Sequence, residues 1–186
     1  MNEVEAVRRF VDAIHSTQIP HMLVGSLSSN YYARPMSTRD ADFVVQGTGD
    51  FIQRLAEHLG EGFNVDPQMS FETITGTYRY VIRMAGSPFK FELFLLSDDD
   101  HDQTRFKRRR NAKYEGCEVF VPSPEDVVIT KLRWSSRGKR TKDTDDVRNL
   151  IAVQGDRIDW DYVYPWCEKH GTTKLLDEIR ASIPPI

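Results

Sequence analysis

The 186-residue chain has little of what would place it in several common classes. It carries two cysteines, Cys117 and Cys167, with no Cys-x-x-Cys pair and no histidine cluster at zinc spacing. Neither a disulfide framework nor a structural zinc site is therefore expected, and both thiols read as free in a reducing compartment. No stretch approaches the roughly 18 uninterrupted apolar residues of a membrane span. The first ten residues mix charges with apolar residues where a secretory leader would have an apolar run. The expectation is a cytoplasmic protein without a membrane partner. Positive charge is also in deficit, with 25 Lys and Arg against 28 Asp and Glu for a formal charge of −3. That excludes a surface that is basic throughout, as a general nucleic-acid binder needs. There is no internal repeat and no low-complexity segment.

What remains is a globular composition, 39% hydrophobic and 28% charged, long enough for one core with a small helical appendix. Val4, Val7, Phe10, Val11 and Ile14 fall on one face of a helix over residues 3–17, which Pro20 closes. His21-Met22-Leu23-Val24 reads as a buried strand entering a turn at Gly25-Ser26, and a short helix over 27–34 stops before Pro35. Alternation predicts a strand over 40–45, and periodicity predicts a helix over 50–59 ended by Gly60. Strand-like stretches follow at 72–84, 88–96 and 114–121. Ser123-Pro124-Glu125-Asp126 is a helix start with a capping Ser and Pro in the first turn. Helices are expected over 142–153, 160–170 and 172–181. The order predicts an α+β fold: a core over 1–121 and a helical region over 122–186, packed as one compact unit.

Chemistry concentrates in Ser37-Thr38-Arg39-Asp40-Ala41-Asp42-Phe43. Acids at i and i+2 of a strand point the same way, and like charges that close are unfavourable without a cation. The alternative is a solvent-facing edge with ion pairs to Arg34 and Arg39. The turn before them tilts the balance, because Gly25 lets an anion approach the backbone and Ser26 adds a hydroxyl at a helix start. A phosphate cradle followed by two carboxylates is a pattern for a triphosphate and its metal ion.

These residues, Val24-Gly25-Ser26-Leu27 and then Thr38-Arg39-Asp40-Ala41-Asp42-Phe43, resemble the DNA polymerase β-like nucleotidyltransferase superfamily, in particular its minimal members and the transferase toxins of abortive-infection systems. The resemblance implies a mixed-sheet core flanked by helices and a third carboxylate on a later strand. The matching residue is Glu92 in Phe89-Lys90-Phe91-Glu92-Leu93-Phe94, where the family more often has Asp. Glu92 paired with Lys90 in solvent is the alternative. Lys131, on the helix opened by Ser123, and Asp143 and Asp146 in Lys142-Asp143-Thr144-Asp145-Asp146 match the lysine helix and the downstream Lys-Asp-x-x-Asp segment of the toxin-like branch.

The activity that the resemblance implies is metal-dependent transfer of a nucleoside monophosphate from a nucleoside triphosphate to a hydroxyl. Asp40, Asp42 and Glu92 would hold Mg²⁺ or Mn²⁺, with Gly25, Ser26 and Lys131 at the phosphates and Arg39 and Asp143 in support. The acceptor would be an RNA end, a protein or a small molecule, and a toxin of this branch would have an antitoxin partner. Arg108, Arg109 and Arg110, in the dense basic run 105–113, are candidates for a polyanionic acceptor, against the reading of a solvated face. Trp134, Trp160 and Trp166 sit at helical positions that favour packing. A catalytically silent module that binds a nucleotide or a partner is the alternative function.

Overall fold

The computed structural model describes residues 1–47 and 49–184. Its chain order is α1 (Glu3–Ser16), β1 (His21–Val24), α2 (Gly25–Tyr32), β2 (Asp40–Val45), α3 (Phe51–Leu59), β3 (Phe63–Val65), β4 (Ser70–Glu72), β5 (Thr77–Met84), β6 (Lys90–Leu95), α4 (Asp100–Lys107), β7 (Arg110–Tyr114), β8 (Cys117–Val121), α5 (Pro124–Gly138), α6 (Thr141–Gln154), α7 (Trp160–His170) and α8 (Thr173–Ala181). The fold is the expected mixed sheet flanked by helices. Among the described residues no helix is long and apolar enough to cross a membrane.

The main sheet runs β1-β2-β6-β5-β3, with β4 paired to β5. β2 and β6 are parallel, while β1 on β2, and β5 on β6, are antiparallel. Alternation along β2 buries Ala41, Phe43 and Val45, and along β6 it buries Phe91 and Leu93, against α1 and α3. Phe10 of α1 anchors that layer, stacked on Phe91 at 4.2 Å between ring centroids and tilted against Phe43 at 5.0 Å. A second apolar cluster joins α5, α6, α7 and α8 through Ile129, Leu132, Leu150, Val163 and Leu176. Because the first cluster lies on one side of β2 and β6, the even-numbered residues of both strands face away from it.

Two expectations need correction, and one helix was not foreseen. The stretch 114–121 is not one strand but the turn and second arm of a hairpin, since Glu115 and Gly116 adopt φ of 49° and 85°. The stretch 72–84 is likewise two arms, β4 and β5, joined by a turn. The unforeseen helix is α4, which begins in the acidic run Asp98-Asp99-Asp100 and whose first N–H groups at His101 and Asp102 donate to the Asp99 carboxylate.

Phe10→Ala should lower unfolding free energy by roughly 3–5 kcal/mol, the usual cost of emptying a fully buried aromatic site. Urea denaturation followed by tryptophan fluorescence checks this; a loss below about 1 kcal/mol would mean that the α1 layer is not the keystone of the sheet.

Candidate active site

The parallel register sets Asp42 opposite Glu92 and Asp40 opposite Lys90. Strand alternation sends Asp40, Asp42 and Glu92 to the side away from α1. One ligand atom from each of the three lies within 4.8 Å of the others. They stand in a cleft of about 110 Å³ that also includes Gly25, Ser26, Arg79 and Lys131. Neither aspartate forms an ion pair with Arg34 or Arg39 among the described residues. Glu92 does meet Lys90, at 2.9 Å, and also Arg79 at 2.9 Å, both through Oε1.

Val24 pairs with Asp42 at the end of β1, and the chain then turns at Gly25 with φ of +65°. A Cβ at position 25 would lie 2.0 Å from Oδ2 of Asp42. Only glycine fits there, on both conformational and steric grounds. The Gly25 carbonyl accepts from the hydroxyls of Ser28 and Ser29 at 2.9 and 3.2 Å, which fixes the first turn of α2. On the other side, the Thr38 hydroxyl donates to Oδ1 of Asp40 at 2.6 Å.

Burial foremost, then the neighbouring charges of Asp40 and Glu92, push the Asp42 carboxyl up to about 7; Lys131 and Lys90 oppose the shift. Its Oδ1 is buried without a hydrogen-bond partner. An orphaned carboxylate oxygen amid two further carboxylates is costly in protein alone and is what a hard divalent cation would satisfy. The donor set, all oxygen, suits Mg²⁺ or Mn²⁺.

Lys131 is buried with its Nζ donating to Oδ1 of Asp143 at 3.0 Å and Oδ2 of Asp146 at 2.7 Å. Arg140 lies 3.1 Å from the second oxygen of Asp143. Asp146 is thus part of the lysine's setting together with Asp143. Arg39 is outside the cleft lining.

Arg108, Arg109 and Arg110 are not among the residues lining the cleft. Arg108 approaches Asp126 at 3.5 Å and lies over the Tyr162 ring at 4.0 Å. Arg109 covers Phe106 at 4.2 Å and donates to its carbonyl, while Arg110 stands 4.0 Å from Glu125. The run is divided between a helix end and a strand; Arg105 is buried, while Lys107, Arg108, Arg110 and Lys113 remain exposed. Sequence reasoning missed Arg79, Arg140, Lys142 and Trp134, all of which line the cleft. Arg79 was legible in the alternation of Arg79, Val81 and Arg83 against Tyr78, Tyr80 and Ile82; Trp134 follows Lys131 by three residues, on the same helix face.

The backbone is similar to that of ANT(2'')-Ia, an antibiotic-resistance factor solved in complex with adenylyl-2''-tobramycin, with a TM-score of 0.62 at 12% identity over 94% of this chain and 99% of that one. It is similar to the lincosamide antibiotic adenylyltransferase LnuA bound to lincomycin, with a TM-score of 0.56 at 13% identity over 82% and 98%. An antigenic nucleotidyltransferase-like protein from Paracoccidioides brasiliensis gives 0.53 at 17% identity over 98% and 94%. At these identities the likeness is one of fold, and the fold is that of nucleotidyltransferases. No protein-family model and no curated protein matches the sequence.

The raised Asp42 pKa carries a stability consequence in metal-free protein. A carboxyl whose folded pKa lies above its unfolded one costs stability as pH rises from about 4 to about 7 and a constant amount above that. Asp42→Asn should therefore be more stable than wild type at pH 8 by roughly 4 kcal/mol, with the gap closing toward pH 4. Paired urea titrations across that range measure it, and a pH-independent gap would contradict the crowded-carboxylate picture.

Proposed function

We propose that the chain is a metal-dependent nucleotidyltransferase that moves a nucleoside monophosphate from a nucleoside triphosphate to a hydroxyl acceptor and releases pyrophosphate. The observation that carries this reading is the cluster of Asp40, Asp42 and Glu92, with the orphaned Asp42 oxygen, at the foot of the Gly25-Ser26 turn. Asp40, Asp42 and Glu92 would hold the ion. When bound, Mg²⁺ or Mn²⁺ supplies charge neutralisation at the transferring phosphate and at the attacking oxygen.

The chain's own residues do the rest. The first N–H groups of α2, beginning at the glycine that brings the backbone close, are donors for phosphate oxygens. Lys131 offers a fixed positive charge, held in place by Asp143 and Asp146. Arg79, Arg140 and Lys142 add charge that opposes the triphosphate. The acceptor oxygen bonds to the α-phosphorus as the bond to the bridging oxygen of pyrophosphate breaks. Both cations on Glu92 meet Oε1, which leaves Oε2 to the cluster and to the acceptor's proton. Most of the rate then comes from positioning and electrostatics.

Acceptor and biological role belong to the same proposal. Because Arg108, Arg109 and Arg110 do not line the cleft, a small molecule or a protein hydroxyl is a better acceptor than a long polyanion. Two of the similar folds were solved with antibiotics or their adducts. The lysine helix with Asp143 and Asp146 supports the toxin-like branch, with its antitoxin partner. A silent nucleotide-binding module is the second reading; the glutamate at 92 and its two ion pairs favour it.

Pyrophosphate release decides between them. Wild type with Mn²⁺, each of the four nucleoside triphosphates and a panel of amino-sugar, peptide and RNA acceptors should release pyrophosphate. Asp40→Asn and Asp42→Asn should cut release by about 10²-fold or more while the protein still unfolds cooperatively. Nucleotide binding without release from any acceptor would favour the silent module.

A further inference from the structure

A second cavity lies outside the carboxylate cleft, between the start of α1, α2 and the loop that leads into β2. Its volume is about 340 Å³, within the range of small-molecule sites. Val7, Leu27 and Phe89 form its buried apolar floor, and Val4 and Met36, 41% and 42% exposed, stand at its mouth. The Met36 wall is fixed rather than loose: the Asn30 side chain donates to its carbonyl at 2.7 Å and accepts from its N–H at 2.9 Å.

Glu3 and Glu115 also line this cavity, both exposed, and no Lys, Arg or His does. Neither carboxylate is in an ion pair among the described residues. The nearby cation Arg8 is turned to the backbone carbonyl of Glu115 at 2.6 Å. The cavity thus joins an apolar floor to two exposed carboxylates that form no ion pair among the described residues, a combination complementary to an amphiphilic cation.

We propose that this cavity binds a small organic cation with an apolar or aromatic body. The apolar part would occupy the floor of Val7, Leu27 and Phe89, with the ammonium group between Glu3 and Glu115. Thr38 belongs to both this cavity and the carboxylate cluster, since it lines the first and donates to Asp40 in the second. Occupancy is thereby linked to the loop that positions a candidate metal ligand. The site does not depend on the proposed transfer reaction, because its test reads binding alone.

The test uses benzyltrimethylammonium as the probe, with benzenesulfonate as its anionic counterpart and benzyl alcohol as the neutral one. Methyl NMR of the full chain should show the cation shifting the Val4, Val7, Leu27 and Met36 methyl signals. The sulfonate should leave them in place, and the alcohol should bind more weakly. Glu3→Gln with Glu115→Gln, both at exposed positions that leave the core untouched, should weaken the cation roughly fivefold and leave the alcohol unchanged. The proposal is overturned if the three probes bind alike, if the double variant binds the cation as well as wild type, or if the cation shifts signals only at the carboxylate cleft. A negative result here leaves pyrophosphate release unaffected, so the two readings fail separately.

Discussion

Three carboxylates with ligand atoms within 4.8 Å of one another are the constraint on which the rest of the site depends. Such a cluster repels itself, and its cost is visible in the Asp42 carboxyl, raised to about 7 by burial and by the two acids beside it. The fold holds it together from outside. The parallel pairing of β2 and β6 fixes Asp42 beside Glu92, and the apolar layer of Phe10, Phe43 and Phe91 holds that pairing from behind. Gly25 closes against Asp42 where any side chain would collide. Lys90, Arg79 and Lys131 supply partial compensation, each already engaged with a carboxylate. Within the three-carboxylate cluster, Oδ1 of Asp42 is left buried without a partner.

This arrangement gives the cleft two unlike walls. One is acidic and built from β2 and β6; the other is basic and built from α5, the start of α6 and the neighbouring strand β5. A triphosphate with its ion would complement that division, with the basic wall offsetting phosphate charge and Asp40, Asp42 and Glu92 holding the cation. The helical region is therefore more than an appendix to the core. It brings Lys131, Trp134, Arg140 and Lys142 over the open face of the sheet, and its own apolar cluster keeps them there.

The central pair of acids and the glycine turn were legible because strand alternation and a Gly-Ser helix start are local signals. Glu92 was legible through the apolar alternation of Phe89, Phe91, Leu93 and Leu95, although its placement opposite Asp42 is a matter of long-range register. Arg79 shared that kind of alternation, but its meeting with Glu92 is again long-range register, and the cations at the start of α6 were not legible, since nothing local states which remote element will cover a sheet. α4 escaped because its only large apolar residue is Phe106, so it has no apolar period, and its sequence signal is the Asp99 cap alone. The basic run stayed open between acceptor binding and a solvated face for a related reason: a string of arginines reads as one patch, whereas here a helix end and a strand start divide it, and Arg108 and Arg109 lie over aromatic rings. The hairpin at Glu115-Gly116 did have a signal, a glycine inside an alternating stretch.

The most direct test of the account is the position of a bound ion. Crystals grown with Mn²⁺ and a non-hydrolysable nucleoside triphosphate should show an anomalous scattering peak coordinated by Asp40 and Asp42, with Oδ1 of Asp42 among its ligands and phosphate oxygens opposite. Density for the nucleotide with no peak at these carboxylates, or a manganese peak elsewhere in the protein, would contradict it.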